Sequence, residues 1–258
     1  MLIETPKLRL NVVDEGPRDA PAVIFSHSLA ATVDMWAAQS AALATRLRVV
    51  RYDTRGHGGS DVPAGPYGFP DLVGDVVALL DTLGIARAHF VGLSLGGMTA
   101  LGLALDHPDR VLSICVANCA ARTAPAACAM WDQRIRTARD QGMQALVEPT
   151  LARWCTSAMI ERRAPELAQL RRMIAATPAA GYIACCAALK TLDYLDRLSS
   201  LALPVLFIAG AHDPAVPVCS MREMHDLVWG SRYVELPSAH LSNIECEAAF
   251  TAALEAFL

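Results

Sequence analysis

Short, solid apolar runs recur along this chain, and each ends in polar or glycine-rich residues. They are "AVIF" within residues 21–28, "RVV" within 46–52, "HFVGL" at 89–93, "VLSICVA" at 111–117 and "PVLFIA" at 204–209. Runs of this kind suit strands covered on both faces. Helical spacing lies between several of them. Leu72, Val73, Val76, Val77, Leu80 and Leu83 follow it, with Gly84 as a stop, and "LGGMTALGLALDHP" (95–108) predicts a helix ended by Pro108. Alternating strand and helix demands a mostly parallel sheet with helices on both faces, so the expected fold class is α/β. "KLRLNVV" (7–13) alternates polar and apolar residues and predicts a strand with one wet face.

The alternation breaks near Arg122. From there to Lys190 the pattern is helical throughout, in "WDQRIRTARDQGMQALV", "ELAQLRRMIAAT" and "GYIACCAALKTL". Strands return with "PVLFIAG" and "RYVELP", the latter preceded by a helical stretch near 221–228 and followed by a last helix to Leu258. The expected organisation is one α/β core, residues 1–121 and 191–258, interrupted by a helical cap, residues 122–190.

Composition excludes several classes of function. Net charge is −4 with acids and bases scattered, so no basic run points to nucleic acid or an anionic membrane. No apolar stretch is long enough to span a bilayer, and the N-terminus lacks the pattern of a signal peptide. The eight cysteines show no CxxC spacing and sit among Ala, Val and Ile. They read as small core residues of a cytoplasmic protein, with no metal site expected.

The strand-to-helix junction "HFVGLSLGGM" (89–98) carries the chemistry. G-x-S-x-G at such a junction makes a sharp turn, in which Gly92 and Gly96 leave room for neighbouring backbone and Ser94 stands exposed at the apex. A serine hydroxyl needs a base, and the base needs an orienting acid. His240 follows the strand "RYVELP" by a short loop, at the strand-end edge where open α/β sheets gather their sites. Asp213 follows "PVLFIAG" in the same way. Of the six other histidines, one opens a strand (His89), two end or occupy helices (His107, His225) and two belong to loops (His27, His57), while His212 stands beside Asp213. Ser94, Asp213 and His240 are therefore the expected catalytic residues, meeting in hydrogen-bonding contact. An oxyanion would be held by the Leu95 N–H and, by the pattern of such loops, the Leu29 N–H. "DTRGHGGS" (53–60) reads as a structural turn in which Arg55 and His57 tie loops together.

With "SHSLAA", "DTRGHGGS", "GLSLGGM", "GAHDPAVP" and "SAHLSNIE" in this order, the chain resembles the α/β-hydrolase superfamily over nearly its full length. "ETPKLRLNVVDEGP", "RWCTSAM" and "GYIACCAAL" make it look most like the 3-oxoadipate enol-lactonases of aromatic catabolism. Ser28 departs from the glycine that relatives often carry after the histidine. The resemblance implies hydrolysis of a small anionic lactone through an acyl-enzyme, with no cofactor. The substrate's carboxylate would need a cation, which the helical insertion offers in Arg122, Arg134, Arg136, Arg153 and Lys190. Trp131, Arg134 and Trp154 are the expected pocket-lining residues. A broader carboxylesterase and a carbon–carbon bond hydrolase of ring-cleavage products would use the same three residues and differ in the cap. A ligand receptor on this scaffold would differ in slow turnover and a partner surface that changes with ligand.

Overall fold

The computed structural model describes all residues, 1–258. Its strands are β1 (Leu2–Glu4), β2 (Arg9–Glu15), β3 (Ala22–Ser26), β4 (Arg48–Tyr52), β5 (Ala88–Leu93), β6 (Val111–Ala117), β7 (Val205–Gly210) and β8 (Arg232–Leu236). They form one sheet in the order β1-β2-β4-β3-β5-β6-β7-β8. The β1–β2 and β2–β4 pairs are antiparallel and the rest parallel. The apolar runs account for this order. β3 and β7 are buried at every position, so they lie inside the sheet, whereas β2 alternates and β8 keeps an exposed edge.

Outside the insertion the helices are α1 (Ala37–Leu43), α2 (Phe69–Thr82) and α3 (Leu95–Asp106), with three more near the end of the chain. The insertion between β6 and β7 holds α4 (Pro125–Gln141), α5 (Val147–Trp154), α6 (Ser157–Glu161), α7 (Glu166–Ala176) and α8 (Ala179–Lys190), with no strand among them. The last three helices are α9 (Val218–Leu227), α10 (Ser242–Glu245) and α11 (Glu247–Glu255). α2 packs on α3, and α3 on β3, β5 and β6, while α1 and α11 pack on each other and on β4 and β8. α3 is buried on nearly all sides, which explains why its sequence carries no charge before Asp106.

The insertion leaves the core through a narrow neck. Arg122 bridges Asp193, Thr123 N–H donates to Leu192 C=O (3.0 Å), and Tyr194 N–H donates to Ala121 C=O (2.7 Å). Its far side returns to the core where Leu241 N–H donates to Trp154 C=O (3.1 Å). Buried residues of the insertion and of the sheet belong to one continuous apolar cluster.

Some elements differ from the sequence reading. β1 and α1 were not expected; β1 is three residues at a sheet edge, and α1 is preceded by a 3-10 turn (Val33–Trp36) capped by the Thr32 side chain. α2 begins at Phe69, earlier than the apolar spacing suggests, because Asp71 Oδ2 accepts from Gly68 N–H (2.9 Å) and Pro70 sits in the first turn. The last helix divides into α10 and α11 and ends at Glu255. All eight cysteines are free thiols; five are buried, but Cys219 is exposed and Cys128 and Cys246 are half-buried, so the core reading does not cover those three.

Candidate active site

β5 turns into α3 at Ser94, whose φ of 56° and ψ of −115° place a non-glycine residue in left-handed backbone. Such a conformation costs about 1–3 kcal/mol and persists only where the surroundings impose it. Here they do. Ser94 N–H donates to Ala117 C=O (2.9 Å), and Ser94 C=O accepts from Met98 N–H (2.9 Å). A Cβ on Gly92 would lie 2.1 Å from Gly96 C=O, and one on Gly96 would lie 2.1 Å from Ser26 C=O. Only glycine fits at either position, so the motif is a packing requirement of the bend.

Two other strand ends bring Asp213 and His240 together. His240 Nδ1 lies 2.8 Å from Asp213 Oδ2. Asp213 Oδ1 accepts from Ala215 N–H (2.7 Å) and Val216 N–H (3.1 Å). Burial alone would raise the Asp213 pKa, but the His240 ring and the hydrogen bonds from His240, Asn118 and Ala215 outweigh it and hold the carboxyl below its ordinary value. A charged Asp213 fixes the Nδ1–H tautomer of His240 and frees Nε2 to act as a base.

Asn118, the residue after β6, with φ 46°, was not anticipated from the sequence. Its Nδ2 donates to Asp213 Oδ2 (3.0 Å) and to Ala239 C=O (3.3 Å), and its Oδ1 accepts from Ser242 Oγ (2.5 Å). One buried amide thus ties the ends of β6, β7 and β8. Gly210 permits the approach, since a Cβ there would lie 2.2 Å from Ala239 C=O.

The loop after β3 carries Leu29, whose N–H donates to no protein acceptor; nor does that of Leu95, the first amide of α3. Two buried histidines shape this loop. His27 Nδ1 meets Ser28 C=O (2.7 Å) and its Nε2 accepts from Thr54 N–H (2.9 Å). His57 Nε2 accepts from Ala30 N–H (3.0 Å), where Ala30 has φ 63°. Burial lowers the pKa of both, that of His57 to about 3, so both stay neutral and serve as fixed acceptors. Arg55 forks onto Asp75 (2.5 and 2.6 Å), which secures the next turn.

Ser94 and His240 line one cavity of about 280 Å³, together with Ser28 and Leu29 below and α4 and α5 above. Trp131, Arg134 and Trp154 line it as well. Arg134 Nε donates to Tyr182 Oη (2.8 Å) and its Nη2 to Thr150 Oγ1 (2.9 Å), with the guanidinium 5.5 Å from the Trp131 ring centre. Arg122 lines the cavity too, but its guanidinium is taken up at the neck by Asp193 and Asp196. Of the three side chains expected in hydrogen-bonding contact, Asp213 and His240 are bonded, but no hydrogen bond joins Ser94 Oγ to His240 in this structure. Such bonds are commonly long until a substrate closes around them.

A strained serine at a strand-to-helix bend, an acid and a histidine at later strand ends, and a helical insertion over the sheet define one class of protein. The family model for the alpha/beta hydrolase fold matches residues 21–246, and the chain belongs to that family. It is 39% identical to 3-oxoadipate enol-lactonase 2 of Acinetobacter baylyi, over 96% of this chain and 92% of that protein. The crystal structure of an enol-lactonase from Burkholderia xenovorans LB400 superposes with a TM-score of 0.96 at 41% identity, covering 100% of this chain and 99% of that one. A putative carbamate hydrolase, RutD, of Caulobacter segnis is 34% identical over 81% of this chain and 83% of its own.

Proposed function

We propose that this protein hydrolyses 3-oxoadipate enol-lactone to 3-oxoadipate, in aromatic compound catabolism, by a Ser94–His240–Asp213 triad. One observation carries the reading: a single cavity is lined by the strained Ser94, by the Asp213-anchored His240 and by the cationic Arg134. The similarity to two enol-lactonases along almost the whole chain supports the choice of substrate.

In this mechanism His240 Nε2 takes the proton as Ser94 Oγ attacks the ring carbonyl. The N–H groups of Leu29 and Leu95 receive the developing oxyanion, a role worth about 10² to 10³ in turnover per donor. The ring C–O bond breaks, the enol oxygen is protonated by the imidazolium, and the enol tautomerises to the ketone. Water deprotonated by His240 then attacks the acyl-serine, and Ser94 recovers its proton. Asp213 stays ionised throughout and stabilises the imidazolium. Trp131, Arg134 and Trp154 surround the space for the ring and its carboxylate arm.

A carbamate, with only four non-hydrogen atoms, would leave most of a cavity of about 280 Å³ unfilled, so the lactone is the better match. The deciding experiment is a spectrophotometric assay of enol-lactone loss beside a panel of simple esters and carbamate, with Ser94→Ala as control. The reading predicts turnover of the lactone that vanishes in Ser94→Ala. Simple esters or carbamate cleaved better by a wide margin would overturn the lactonase assignment.

A further inference from the structure

The arginines of this chain divide by the partners they have. Eight are not exposed. Arg48, Arg51, Arg55, Arg110, Arg122 and Arg171 each pair with a carboxylate. The other two, Arg134 and Arg153, have none, and both line the cavity that holds Ser94 and His240. Every other guanidinium withdrawn from solvent is neutralised, Arg122 at the cavity's edge included, and these two are left without an anion. Two like charges in a poorly hydrated space repel, and an anion between them relieves that cost.

The two arginines are not equivalent. Arg134 already spends Nε on Tyr182 and Nη2 on Thr150, which fixes its plane. Arg153 donates only through Nη1, to Met130 Sδ at 3.4 Å, a weak acceptor. Its Nε and Nη2 have no protein acceptor and form the parallel two-donor edge that matches a carboxylate. Burial first, then the like charge of Arg134, lowers the Arg153 pKa, against the raising influence of Tyr182 and Asp213. Arg153 thus stands electrostatically between the second cation and the triad acid.

We propose that Arg153 is the carboxylate-binding arm of the cavity, taking the substrate's carboxylate as a two-point fork while Arg134 serves as a fixed second cation. This deepens the lactonase reading, on which it rests, by naming the residue that selects a carboxylate-bearing lactone or ester over a neutral one. A neutral ester fills the same space but leaves both guanidiniums uncompensated.

The test compares the enol-lactone with its methyl ester, which has the same ring without the charge. The quantity measured is the ratio of kcat/KM for the acid to that for the ester. Arg153→Met should lower this ratio about 10- to 100-fold, chiefly through KM for the acid, the scale of a lost charge-assisted hydrogen-bond pair. Arg153→Lys should restore part of it, since an ammonium keeps the charge and loses the fork. Arg134→Met should move the ratio less, because losing Tyr182 and Thr150 disturbs the cavity for both substrates. A ratio within twofold of wild type in Arg153→Met, or the whole selective loss appearing in Arg134→Met instead, overturns the proposal. A second readout needs no turnover: quenching of Trp131 and Trp154 fluorescence in Ser94→Ala by monomethyl adipate and by dimethyl adipate. Arg153→Met should shrink the preference for the monoanion by the same factor, and an unchanged preference also overturns the proposal. Wild-type protein that ignores the lactone but prefers the monoanion through Arg153 would refute the lactonase reading and leave this site standing.

Discussion

Replacing Asn118 by aspartate changes almost no volume and places a second carboxyl where the amide now lies 3.0 Å from Asp213 Oδ2. Two negative charges 3.0 Å apart repel by about 5.5 kcal/mol at an effective dielectric of about 20, which is about 4 pKa units. The pair therefore gives up its second proton near pH 8 instead of near the ordinary value of about 4. Below that pH the new carboxyl stays protonated and donates to Asp213 as the amide did, while Ser242 Oγ still has an acceptor. The unfolded chain ionises both groups above about pH 4, so the folded variant binds one more proton between about pH 4 and pH 8. A group with a raised folded-state pKa stabilises below its unfolded value and loses that contribution as pH rises through the folded value. Relative to wild type, Asn118→Asp should lose about 1.4 kcal/mol of stability per pH unit across that window. Urea unfolding from pH 5 to 8 measures the slope difference. The rate of lactone loss in the variant should persist near neutrality and fall above about pH 8. Stability curves for variant and wild type that run parallel across the window would refute the contact. Loss of the neutral-pH rate would mean that His240 takes the extra proton instead of the carboxyl pair.

The elbow makes a converse prediction. Ser94→Gly should lose lactone turnover yet unfold at least as hot as wild type, since glycine adopts φ 56° without strain; a clear drop in Tm would contradict the strain at that position. His57 predicts an acid dependence. Its folded pKa of about 3 lies below the unfolded value of about 6.5, so the stability of its neutral ring is full above about 6.5 and is lost at about 1.4 kcal/mol per unit as pH falls toward 3. His57→Gln keeps an acceptor for Ala30 N–H and removes that titration, so its stability should fall less between pH 7 and pH 4 than that of wild type; equal losses would show that His57 is not buried neutral.

Most of the sheet was legible in the sequence because burial on both faces leaves an unbroken apolar run, as in β3 and β7, and the turn residues that bound these short runs separate them from a buried helix such as α3. The elbow was legible for a different reason. A Cβ on Gly92 or Gly96 would lie 2.1 Å from a backbone oxygen, so their spacing around Ser94 records the bend itself. Asp213 and His240 followed from their positions just beyond strands. What stayed hidden depends on elements that meet only after folding. Asn118 acts through the side-by-side ends of β6, β7 and β8, and nothing in "VANCA" announces that junction. Arg134 was singled out among the cations of the insertion, but nothing in the sequence set Arg153 apart from Arg122, Arg136 and Lys190; the partner it lacks distinguishes it, and partners are set by packing. β1 carries too few residues to establish a period, and α1 follows a turn whose cap is the Thr32 hydroxyl.

Active-site labelling asks whether Ser94 is the nucleophile and His240 its base. A fluorophosphonate reacts with a serine made nucleophilic by a neighbouring base, and peptide mass mapping locates the adduct. One label per chain is expected, on Ser94, with lactone hydrolysis disappearing in step with labelling and label uptake abolished in His240→Gln. Stoichiometric label on another residue, or full lactone turnover by protein labelled at Ser94, would contradict that assignment.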